Sequence, residues 1–79
     1  MTKWTYLGSM GHRQFATETV EGMAGAIAEL EAWMNRQPTT ILMRCKGETE
    51  ADPVSLGTLR ATDPSKIEEV FVVPRMAGG

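Results

Sequence analysis

Hydrophobic and polar positions change period several times along the chain, and each change marks an element. Trp4-Thr5-Tyr6-Leu7 alternates bulky with small or polar residues and is rich in aromatic and β-branched types, which predicts a strand. Gly8-Ser9-Met10-Gly11-His12 follows, with two glycines free to take positive φ, and predicts a turn. Gln14 to Thr19 alternates again, so the first twenty residues predict a β-hairpin. The period then lengthens. Met23, Ala26, Ile27, Leu30, Trp33 and Met34 recur at three- and four-residue spacing, the signature of one helical face, and Glu21, Glu29, Glu31 and Arg36 fall on the other. Thr19 is the expected N-cap, Glu21 suits the positive end of the helix dipole, and Asn35 to Pro38 ends the helix. Gly22 and Gly25 each weaken such a helix by about 0.5–1 kcal/mol relative to alanine, or let it approach a sheet closely.

Thr39 to Cys45 is the next strand, with Ile41, Met43 and Cys45 on one side and Leu42 and Arg44 on the other. Lys46-Gly47-Glu48 predicts a turn. From Glu48 to Pro64 the pattern is irregular and punctuated by Pro53, Gly57 and Pro64, with a short helical turn expected around Val54 to Leu59. Glu69 to Val73 is the last strand and Pro74 ends it, leaving Arg75-Met76-Ala77-Gly78-Gly79 as a flexible tail. One helix and one sheet each carry an apolar side, and laying one across the other buries both. The expected architecture is α+β: a mixed sheet of four to five strands under one long helix, with the domain at 1–74 and the tail at 75–79.

Composition narrows the function. Seventy-nine residues, 42% hydrophobic and 23% charged, suit one globular domain, which buries only about 60% of its unfolded surface. No apolar run nears the ~20 residues of a membrane span, and Met1-Thr2-Lys3-Trp4 lacks a secretory signal's apolar stretch, so a cytoplasmic location is expected. Eight basic and ten acidic residues are interspersed, giving a net charge of −2 without the basic patch that binding to nucleic acid phosphates needs. The single cysteine forbids an internal disulfide.

Candidate chemistry is sparse. Cys45 has only His12 as a conceivable base, and His12 falls in the predicted hairpin turn, so Cys45 is read as a small core residue and His12 as exposed. Glu48, Glu50, Asp52 and Asp63 are read as solvated loop charges, because paired acids need a cleft to drive their pKa values apart. No metal, cofactor or enzymatic activity is predicted. Two other features point to binding. If Val70 and Val72 face the core, Phe71 and Val73 face outward beside Leu42 and Arg44, forming a small apolar patch with a basic residue. The opposite register would bury Phe71 instead. The tail is the second feature. Glycines at 78 and 79 let a backbone thread a narrow channel of an adenylating enzyme or a protease, and Met76 gives a partner one large side chain to grip.

Hairpin, long helix, strand, irregular segment and last strand, followed by Gly78-Gly79, resemble the ubiquitin-like β-grasp superfamily. Within it, Val73-Pro74-Arg75-Met76-Ala77-Gly78, the helix opening Val20-Glu21-Gly22 and the strand-turn Met43 to Gly47 are similar to the N-terminal domain of the lambda-type phage tail assembly protein I family. That resemblance implies an assembly role, with tail proteins or a processing protease as partners and cleavage after Gly79. The phage proteins continue into a glycine-rich apolar region, and this sequence ends at Gly79. The alternative is a free-standing relative, either a modifier or a sulfur carrier of the molybdopterin and thiamine type. There, Gly79 is activated by an E1-like adenylating enzyme.

Overall fold

Where the hydrophobic period is 2 the chain forms strands, and where it is 3.6 it forms the main helix. The computed structural model describes residues 1–8 and 11–75. Its elements run β1 (Thr2–Gly8), β2 (Gly11–Thr17), α1 (Val20–Met34), β3 (Thr39–Cys45), β4 (Asp52–Val54), α2 (Leu56–Ala61), a 3-10 turn (Pro64–Lys66) and β5 (Ile67–Pro74). The sheet order is β2-β1-β5-β3-β4, with β1 and β5 parallel and the other neighbours antiparallel. α1 packs across this mixed five-stranded sheet, so the fold is α+β and β-grasp-like.

One face of the sheet and one stripe of α1 make the core. Trp4, Tyr6, Ile41, Met43, Val70 and Val72 meet Met23, Ala26, Ile27 and Leu30 in a single buried cluster. Full burial of a side chain such as Leu30 contributes about 1.5–3 kcal/mol. Tyr6 sets its ring edge-on against Trp33, with centroids 5.4 Å apart. Its buried hydroxyl has no hydrogen-bond partner among the described residues. Burial, with Glu29 nearby, pushes the phenol above its ordinary pKa, while Arg13 opposes the shift. Leu59 of α2 closes the core beneath the irregular segment, and an Arg60–Glu31 ion pair at 3.0 Å ties α2 to α1.

The helix begins as expected: Thr19 is extended, and its Oγ1 accepts the Gly22 N–H at 2.9 Å. That role pulls Thr19 out of β2, which ends at Thr17 instead of Thr19. β2 also starts at Gly11, three residues before the expected Gln14, so His12 is a strand residue and not a turn residue. The polar run Gly11-His12-Arg13 lacks alternation, and pairing with β1 makes it a strand. β5 likewise starts at Ile67, because a register shift opposite Arg44/Cys45 breaks the period between the buried residues Ile67 and Val70. Pro74 belongs to the strand; β1 pairs only as far as Val72.

The two helical glycines part company. A Cβ on Gly22 would sit 3.1 Å from Thr19 Oγ1 and near Thr17, so glycine gives the cap its room. A Cβ on Gly25 would meet nothing within 4 Å, so no close approach to the sheet occurs there. Gly25→Ala is therefore expected to stabilise the protein by about 0.5–1 kcal/mol. Thermal unfolding followed by circular dichroism should show a midpoint raised by roughly 2–8 °C; an unchanged or lowered midpoint would contradict the open space around it.

Candidate functional site: the helix-free face of the sheet

The alternation that sends Val70 and Val72 to the helix sends Phe71 and Val73 to the opposite face. Both are partly exposed, as are Leu42 and Arg44 on β3. Leu42 lies opposite Phe71 and Arg44 opposite Glu69, while Thr40 lies opposite Val73. The structure thus brings Leu42, Phe71, Val73 and Arg44 together on the side α1 leaves open. On the other flank of β5, Thr5 of β1 aligns with Phe71 and Lys3 with Glu69. Pro53 of β4 lies opposite Leu42. The face has an apolar centre, Phe71 and Leu42, bounded on one side by a charged row, Lys3, Glu69 and Arg44.

Arg44, the expected basic residue of the patch, is ion-paired. Its Nη2 sits 2.6 Å from Glu69 Oε1, and its Nη1 donates to the Glu48 carbonyl at 3.1 Å. With both groups only about a quarter exposed, the pair fixes the guanidinium against the sheet rather than leaving it for a distant anion. Lys3, Thr5, Gln14 and Glu69 were not foreseen as site residues. Once Trp4 and Tyr6 are assigned inward, period 2 alone sends Lys3 and Thr5 outward; Gln14 then follows from its pairing with Thr5. An open depression of about 310 Å³ lies among Lys3, Thr5, Gln14 and Ala16.

The predicted tail is described only at its first residue. Arg75 is exposed, and its N–H donates to the Pro38 carbonyl at 3.2 Å, so the chain is held to the β3 entrance one residue beyond Pro74. Met76, Ala77, Gly78 and Gly79 lie outside the described residues.

The remaining candidates are structural. Cys45 is a partly buried free thiol packed against the core, and its N–H donates to Glu48 Oε1 at 2.9 Å. With Gly47 at φ +86 and the Glu48 N–H on the Cys45 carbonyl, that carboxylate closes the turn after β3. Asp63 accepts the Ser65 N–H and hydroxyl at 3.0 and 2.9 Å, which, with Lys66 nearby, hold its carboxyl below the ordinary range. Met23 and Met43 fill the core and Met34 lies at its margin, whereas Met10 lies outside the described residues. Among the described residues, no three His, Cys, Asp or Glu side chains are grouped to hold a cation, and no helix is long and apolar enough to cross a membrane. No protein-family model, curated protein or solved structure matches this chain.

Proposed function

We propose that this chain is a ubiquitin-like domain of a phage tail assembly protein, and that it acts by binding another protein rather than by chemistry of its own. The observation that carries the binding reading is the apolar centre on the helix-free face. Leu42, Phe71 and Val73 stand partly exposed on adjacent central strands, and contiguous apolar surface of that kind marks partner sites. The resemblance of Val73 to Gly78 and of the helix opening to tail assembly protein I supplies the assembly role. The same resemblance makes Arg75 to Gly79 a second contact segment and the bond after Gly79 the point of cleavage by a processing protease.

The partners to test are phage tail proteins, by titration calorimetry on the purified chain, with its intact mass followed in parallel. Saturable binding to a tail protein, with the mass unchanged or cut after Gly79 in a longer precursor, is the expected result. Absence of binding to every tail protein would overturn the proposal. In that case, a Gly79 adenylate or thiocarboxylate formed with ATP, a sulfur donor and an E1-like enzyme would establish the carrier reading.

A further inference from the structure

The two edges of the sheet are not alike. β4 is three residues long and carries Pro53, two of the devices by which proteins blunt an edge. β2 is seven residues long and contains neither proline nor lysine. Its register with β1 runs unshifted from Thr2–Thr17 to Gly8–Gly11. No described strand pairs with its other side. Alternate residues of β2 bond to β1, and those between turn their N–H and C=O groups outward.

We propose that this edge pairs antiparallel with β2 of a second copy of the chain, about a two-fold axis at Gln14. The two sheets then form one continuous sheet with both α1 helices on the same side. The register follows from the sequence of β2. With the axis at Gln14 all seven residues pair: Gly11 with Thr17, His12 with Ala16, Arg13 with Phe15, and Gln14 with itself. An axis at Arg13 would set guanidinium against guanidinium, which is destabilising. An axis at Phe15 would leave Gly11 and His12 without partners in the strand.

Charge and shape also favour the Gln14 axis. Arg13 is the only formally charged residue of β2, and it points to the helix side, a placement that protects many edges. Here that protection is cancelled. Arg13 is ion-paired with Glu29, and its guanidinium lies over the Phe15 ring at 5.0 Å and the Tyr6 ring at 5.7 Å. Across the axis each Arg13 meets the Phe15 ring of the second copy, a second cation–π contact in place of a like charge. Phe15, half-buried in the single chain, becomes covered, and the two Gln14 amides meet on the helix-free side, where each can donate to the other.

Sedimentation equilibrium over a range of concentrations tests this, with a mass rising from 8.7 kDa towards twice that value as the expected result. Gln14 is exposed, so Gln14→Lys and Gln14→Glu preserve the fold, which circular dichroism checks. Each puts like charges at the axis and should weaken self-association by about tenfold or more, whereas an equimolar mixture of the two should recover it. A wild-type chain that stays monomeric, a dimer indifferent to both substitutions, or a mixture that fails to recover would each overturn the proposal.

Discussion

Trp4→Ala is expected to lower the free energy of unfolding by about 3–5 kcal/mol, the range for removing a large buried ring. Trp4 is fully buried in β1, aligned with Phe15 on one side and Val70 on the other. Its ring stacks on Phe15 with centroids 5.8 Å apart and planes 4° from parallel. Its Nε1–H donates to Thr17 Oγ1 at 3.1 Å, where Thr17 is also buried. The alanine variant removes 150–250 Å² of buried aromatic surface, opens a cavity beneath α1 and leaves the Thr17 hydroxyl without this donor. A chain of this length has a total stability of roughly 4–12 kcal/mol, so the variant loses about a quarter or more of it, and at the lower end it is unfolded in buffer. Urea unfolding, followed by far-ultraviolet circular dichroism, reads the loss. Trp4→Phe separates the causes: it keeps the stack and most of the volume, loses the indole donor, and should cost about 1–2 kcal/mol. A Trp4→Ala cost below that of Trp4→Phe would contradict the core described here.

Much of this core was legible in the sequence because both periods that define it are long and clean. Six apolar positions at helical spacing located α1, and Thr19 located its start, since a threonine hydroxyl just before a helical run has orphan N–H groups to satisfy. The sequence left two registers open for β5, and the burial of Val70 and Val72 decides between them, which places Phe71, Val73 and Leu42 outward. The less legible parts are those that neighbours decide. Three residues of β4 are too few to show a period, and Pro53 argues against a strand until Leu42 is seen opposite it. β2 is an edge strand with little burial on either face, so its first residues carry no hydrophobic alternation. The Arg44–Glu69 pair joins residues 25 apart and depends on how β3 aligns with β5, which no local pattern reports. That pair makes the basic residue of the patch a fixed rim of the site.

On the proposed function the apolar centre carries the recognition, and Phe71→Thr tests it. The ring lies on the helix-free side of the central strand, between Thr5 and Leu42, and is only partly covered by its neighbours. Threonine, like phenylalanine, favours a strand and leaves the buried residues Val70 and Val72 untouched, so the stability loss should stay near 1 kcal/mol. Loss of an aromatic anchor from a desolvated interface costs about 2–4 kcal/mol, which is a drop in affinity of roughly 30-fold to 1000-fold. Titration calorimetry against the proposed tail-protein partner measures it, with Val20→Thr on the exposed start of α1 as the control that should bind normally. Equal affinities for wild type and Phe71→Thr, with both folded, would remove the helix-free face from the binding site and leave Arg75 to Gly79 as the segment to test next.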